Sequence, residues 1–287
     1  MMTRSAYSKK QENIEFQYRQ RCRFLPEDKL IALLGHNNFK LSLEAARVLL
    51  LKGGSRVIKV AQINCFSNNY RTRALAAFIL GEIHLSTKEE KQVIDKLSDL
   101  ALTDKSATVR SYAVVSFGRR CNEAKKNFSD SLISLAENTI LDKSVNVRRS
   151  TAFILSMFDN EASIPLLIKL LKDSHSEVKD WAAFAVNVNG YDTPEIRNCF
   201  VLLLNENNFD VRYEAIIGLS KMKDKRVTEV LMKELSKDVV YDEMVEAAGY
   251  LGNVALLPIL YEIKKKWGLF DELNTSIKIL EHLKTKL

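Results

Sequence analysis

Apolar positions along this chain follow a helical period, and the helical pattern itself recurs. Five segments align on one another: SATVRSYAVVSFG (Ser106–Gly118), SVNVRRSTAFILS (Ser144–Ser156), HSEVKDWAAFAVN (His175–Asn187), NFDVRYEAIIGLS (Asn208–Ser220) and, more loosely, DVVYDEMVEAAGYLG (Asp238–Gly252). Asn69–Gly81 and Asn38–Leu50 fit with weaker starts. The anchor valines are Val109, Val147, Val178, Val211 and Val240, at steps of 38, 31, 33 and 29 residues. After each anchor the apolar residues fall near +4, +5, +7 and +8, as at Ala182, Ala183, Ala185 and Val186, which is one face of a helix. The small side chains on that face let a neighbouring helix come close.

Second apolar stretches lie between these segments, at Val57–Phe66, Val93–Leu102, Ile164–Leu171, Val227–Leu235 and Val254–Ile263. A helix of about 12 residues is marginal alone, but stacked helix pairs bury a continuous core. The pattern therefore predicts an all-α fold, an α-α superhelix of repeated helical pairs. The expected organisation is an N-terminal helix and basic tail over 1–24, the helix near Gln11–Arg23, then one continuous solenoid of about eight pairs over 25–287.

The joints between repeats carry their own signature. Asp104, Asp142 and Asp173 each precede an anchor valine by five residues, and an Asp and Ser there are expected to cap the next helix. A basic residue follows the anchor as Arg110, Arg148, Lys179 and Arg212. Asp and Arg at these spacings predict an ion-pair ladder tying neighbouring repeats. A phosphate-binding ladder is the functional alternative.

The V-R-x-x-A-A pattern with a leucine-rich second helix resembles the HEAT family in its short phycobilisome-lyase-like form. Four longer phrases, DKSVNVRRSTAF (Asp142–Phe153), IPLLIKLLKDSHSEVKDWAAFAV (Ile164–Val186), YEAIIGLSKMKDKRV (Tyr213–Val227) and VYDEMVEAAGYLGNVALLP (Val240–Pro258), resemble the YibA family of HEAT-repeat immunity proteins, encoded beside Rhs toxins. The resemblance runs from about residue 17 to residue 260 and is weakest at both ends. It implies a cytoplasmic protein that binds and neutralises the toxic C-terminal domain of a cognate Rhs or polymorphic toxin by protein–protein contact. It brings no short catalytic or binding motif, so the contact surface has to be sought from physics.

Composition narrows the alternatives. With 4 Pro and 10 Gly in 287 residues, a β-sandwich or barrel lacks the turns it needs. No apolar run reaches the ~18 residues of a membrane span, and the N-terminus has no secretory apolar core. Cys22, Cys65, Cys121 and Cys199 are far apart and read as ordinary buried thiols. His36, His84, His175 and His282 have no partner at metal-ligand spacing, and no GxSxG, P-loop or GxGxxG is present. No catalytic residue, cofactor or metal is therefore expected.

Charge divides the chain. Residues 1–160 hold 26 Lys+Arg against 16 Asp+Glu, whereas residues 161–260 hold 11 against 16. In a solenoid, equivalent positions stack into columns. Positions +2 and +3 after the later anchors give Asp180, Trp181, Tyr213, Glu214, Asp242 and Glu243, an acidic-aromatic column suited to a basic protein partner. A solvated edge with partly buried aromatics is the bland reading of the same residues. The alternative function is a HEAT-like nucleic-acid-binding protein or alkylated-base DNA glycosylase. It would draw on pI ≈ 9.1, on Asp180-Trp181, and on a stripe of Arg71, Arg73, Arg110, Arg148 and Arg149. The acidic surroundings of Trp181 have the wrong sign for a phosphate groove, so nucleic acid is not the expected partner.

Overall fold

The structure, a computed structural model, describes residues 16–123 and 129–286. They form an all-α HEAT-type solenoid, with no strand among the described residues. The chain groups into two compact units, Met1–Met157 and Phe158–Leu287.

The first unit holds α1 (described over 16–23), α2 (Glu27–Leu33), α3 (Phe39–Lys52), α4 (Ser55–Asn64), α5 (Tyr70–Glu82), α6 (Thr87–Thr103), α7 (Ala107–Glu123), α8 (Ser129–Thr139) and α9 (Val145–Leu155). Helices α3, α5, α7 and α9 stack side by side, and α2, α4, α6 and α8 each pair with the helix that follows. The expected N-terminal helix is present over 16–23, and Gln11 to residue 15 lie outside the described residues. It is held to α3 by Arg19, whose Nε donates to Glu44 Oε2 at 2.8 Å, and by Asn38 Nδ2 donating to the Tyr18 hydroxyl at 2.9 Å.

The second unit repeats the plan with α10 (Ile164–Leu171), α11 (Ser176–Asn189), α12 (Pro194–Leu203), α13 (Phe209–Lys221), α14 (Thr228–Leu235), α15 (Asp242–Leu251), α16 (Leu257–Trp267) and α17 (Asp271–Lys284). Helices α11, α13, α15 and α17 form one layer, more closely packed than the layer of α10, α12, α14 and α16. Small residues explain the closeness. Ala182, Ala183, Ala185, Ala215, Ala247 and Ala248 are fully buried. Gly218 leaves so little room that a Cβ there would meet the Phe200 ring at 2.1 Å and Asn187 Oδ1 at 2.4 Å. A stack pinched in one layer curves with that layer inside, so α11, α13, α15 and α17 line the inner face of this unit.

The anchors Val109, Val147, Val178 and Val211 are all buried at the third position of their helices. Val240 is different. Helix α15 starts only at Asp242, after an extended Tyr241 (φ −88°, ψ 142°). Two adjacent β-branched valines, Val239 and Val240, favour extended backbone over a helical start.

The expected Asp–Arg ladder is present. Arg73 grips Asp104 through Nε (2.7 Å) and Nη2 (2.9 Å), and Arg110 grips Asp142 in the same way (2.7 and 2.8 Å). The remaining nitrogen reaches back to a loop carbonyl six residues earlier: Arg73 to Ser67, Arg110 to Asp104, Arg148 to Asp142, Arg212 to Glu206. In the second unit Lys179 pairs with Glu206, and Arg212 stands 3.9 Å from Glu234. The capping expectation needs correcting. Asp104, Asp142 and Asp173 accept from the backbone N–H two residues on, at Ser106, Ser144 and His175, so they shape the loop rather than cap the helix. Ser144 makes no side-chain cap hydrogen bond. Asparagines do cap: Asn38 accepts from Leu41 N, and Asn208 from Val211 N.

The paired carboxylates also set an acid limit. Burial alone would raise Asp104 and Asp142, but the arginine and backbone hydrogen bonds and the nearby positive charges hold both below the usual range. Their stabilisation is present above the ordinary Asp value and is lost as pH falls through the lowered one. Arg110→Lys keeps the charge but cannot fork onto Asp142 while also reaching Asp104 O. It should cost about 1–3 kcal/mol in urea unfolding. Gly218→Ala should cost a similar amount, about 1–3 kcal/mol by the same measurement, because the Phe200 ring has to move.

Candidate functional site

On the inner layer of the second unit, positions +3, +6 and +10 after each anchor share one stripe of each helix, exposed or partly exposed except at the buried Ile217. On α11 these are Trp181, Phe184 and Val188; on α13, Glu214, Ile217 and Lys221; on α15, Glu243, Glu246 and Tyr250. The face changes character along the stack. It is apolar at α11, where Phe184 is 38% and Val188 55% exposed and Trp181 meets Phe184 edge-on at 5.4 Å. It is acidic at α15.

The column expected from the sequence is thus assembled in part as drawn. Tyr213 lies against Tyr241 at 6.5 Å and 83°, with the Glu243 carboxylate near its phenol. Burial, then the charges of Glu243 and Glu214, push the Tyr213 phenol well above its usual value. Glu214 is half-buried and accepts 2.8 Å from Asn187 Nδ2, which also donates to the Glu214 carbonyl at 2.9 Å. Burial raises the Glu214 carboxyl. The Asn187 hydrogen bond opposes this, while the negative charge of Asp180 adds to it. Asp180 and Trp181 are half-buried, and Asp242 and Glu243 are exposed at the start of α15.

Sequence reasoning missed the rest of the face. Phe184, Val188, Glu246 and Tyr250 continue the +3 position along the same helical stripe at +6 and +10, a periodicity legible in principle. Phe209 and Tyr241 were also missed. Phe209 opens α13, and its ring lies 5.4 Å from that of Tyr241 and 5.9 Å from that of Tyr213. The first unit has an aromatic cluster of its own, where Tyr112 meets Phe39 at 5.9 Å and Phe78 at 6.4 Å, both edge-on. Tyr112 is the +3 residue of its repeat and Phe78 the +6 residue of the repeat before.

Three members of the arginine stripe, Arg73, Arg110 and Arg148, are drawn into the scaffold. Arg73 and Arg110 spend their guanidinium groups on Asp104, Asp142 and loop carbonyls, with side chains 16% and 12% exposed. Arg120, only 2% exposed, donates to the carbonyls of Leu80 and Ile83 at the end of α5. The four thiols are buried, and burial pushes Cys65 up to about 11 and Cys121 up to about 12. Among the described residues no group of His, Cys, Asp and Glu is placed to hold a metal ion, and no helix is long and apolar enough to cross a membrane.

Comparison with known proteins places these features. The PBS lyase HEAT-like repeat matches residues 147–173. Protein YibA of Escherichia coli K12 is 44% identical over 282 residues, covering 98% of this chain and 99% of that protein. Protein YibA of Escherichia coli O157:H7 matches to the same extent. The X-ray structure of Escherichia coli YibA superposes with a TM-score of 0.87 over 93% of this chain and 96% of that one.

Glu214 yields a signed prediction. Its folded value lies above its unfolded value, so the folded protein holds the extra proton and stability falls as pH rises through the window between them. Glu214→Gln keeps an acceptor for Asn187 and removes the charge. Thermal unfolding should show the variant more stable than the parent at neutral pH, with the gap closing below about pH 4, where the unfolded carboxyl is also protonated. Equal stability at both pH values would show that Glu214 carries no such burden.

Proposed function

The chain belongs to the YibA family of HEAT-repeat proteins, and on that premise we propose that it is an immunity protein. It binds the toxic C-terminal domain of a cognate Rhs or polymorphic toxin in the cytoplasm and neutralises it stoichiometrically. The single observation that supports this reading on the molecule is the graded inner face of the second unit, aromatic at α11 and acidic at α15. Aromatic rings that are held on one side and open on the other are typical anchors of protein interfaces. Carboxylates beside them favour a basic partner face, speed its encounter and repel acidic competitors.

The nucleic-acid alternative loses its main support. Arg73 and Arg110 are already committed to carboxylates, and residues 161–260, which include Trp181, hold 11 Lys+Arg against 16 Asp+Glu, the wrong balance for a phosphate groove.

The test uses residues that do not hold the fold. Asp242 and Glu243 are exposed on the first turn of α15, unlike Glu214, whose reversal would also strand Asn187. Co-expression with the toxic tail of the neighbouring Rhs protein should rescue growth. The Asp242→Lys, Glu243→Lys double variant should weaken binding of that tail by more than about tenfold, as reversing two interface charges does. It should keep its helical circular dichroism. Failure of the unaltered chain to rescue growth would sink the immunity reading, whereas full protection by the double variant would move the contact elsewhere.

A further inference from the structure

The late start of α15 leaves a gap in the second unit. Helices α11 and α13 begin two residues before Val178 and Val211, whereas α15 begins two residues after Val240. The Val211–Val240 step is 29 residues and the one before it 33, a deficit of one helical turn. Where that turn would lie there is a recess of about 290 Å³, lined by Phe209, Glu234, Lys237, Val239, Tyr241 and Met244.

Its walls combine aromatic rings with a buried carboxylate. The Phe209 and Tyr241 rings lie 5.4 Å apart at 31°. Two cations of the chain itself already approach the Phe209 ring, Lys237 Nζ and Arg212 Cζ, each 5.8 Å from its centroid. Glu234 stands beneath, its side chain 8% exposed, ion-paired with Lys237 and 3.9 Å from Arg212. Asp210 follows Phe209 in the chain, Asp242 and Glu243 follow Tyr241, and all three are exposed. Lys237 remains 44% exposed, its ammonium carried on a flexible four-carbon stem.

We infer that this recess receives an arginine side chain from a protein partner, and that Lys237 is its internal placeholder. Arginine fits better than lysine. A flat guanidinium stacks on a ring and forks onto a carboxylate at once, which a point-charge ammonium cannot do. The inference rests on the proposal that the partner is a protein with a basic face, and it names the side chain that would anchor there.

Fluorescein-labelled octaarginine serves as the probe, with binding followed by anisotropy on the full chain. Phe209→Leu and Tyr241→Leu keep apolar bulk and remove the ring, and each should weaken binding about fivefold, the usual worth of a cation–π contact. Lys237→Ala should tighten binding by about fivefold through release of the ring and Glu234. Lys233→Ala makes the same charge change on α14 outside the recess and should alter affinity by less than about twofold. The inference falls if octaarginine does not bind, if the two leucine variants bind like the parent, or if Lys237→Ala and Lys233→Ala behave alike. If those results coincide with protection of cells against the toxin, the recess is lost and the immunity reading stands. Specific arginine binding without protection reverses that outcome.

Discussion

A guanidinium carries its N–H donors in a fixed plane, and the joints of this solenoid are built on that geometry. At Arg73 and Arg110 one edge of the group takes both oxygens of the next repeat's aspartate, and the remaining nitrogen takes a carbonyl six residues back. One side chain therefore fixes its own loop and the distance to the following loop. The aspartate completes the arrangement by accepting a backbone N–H two residues on. Such charge-assisted, bidentate contacts are stronger and more directional than single hydrogen bonds. Because each joint repeats the geometry, the helices between joints are held in a common register.

Register is what turns a repeated sequence into a surface. With anchors aligned, every +3 residue faces the same way, and a substitution at that position in one repeat stands beside its counterpart in the next. The close approach that this needs is supplied by alanine and by Gly218, which seats against Phe200 and Asn187. Asn187 then reaches the backbone and the carboxylate of Glu214. Packing in the core thus determines how the acidic residues above it are presented. The second unit keeps the plan with weaker clamps, Lys179 on Glu206 and Arg212 near Glu234, and it is here that one repeat loses a turn.

Much of this was legible in the residues. The period-3.6 face after each valine predicts the helices, and the Asp–Arg spacing predicts the ladder. The column at Tyr213, Glu214 and Glu243 follows from register alone. Two things were not legible. The role of Asp104 and Asp142 in the loop, rather than in a cap, depends on which backbone N–H the carboxylate meets, and here it is the N–H two residues on. The recess at Tyr241 arises from a helix that fails to start, and aligning Val240 with the other anchors concealed it. The 29-residue step was the available signal, because four missing residues have to be taken from a helix or a loop.

The same four residues bear on how surface relief arises in a repeat fold. A perfect stack buries the first turn of each helix against its neighbour and leaves only shallow relief. Removing one turn costs the buried contacts of Val240 but exposes the ring of Tyr241 against Phe209, with a carboxylate held beneath by scaffold cations. Glu234 does two jobs: it ends the weakened clamp at Arg212 and forms the floor of the recess. Glu234 lines the recess at a joint that no longer has the full bidentate grip of the first unit. Loosening of the ladder in the second unit and the formation of an aromatic, acidic surface there are therefore one change, seen first in the scaffold and then at the face it presents.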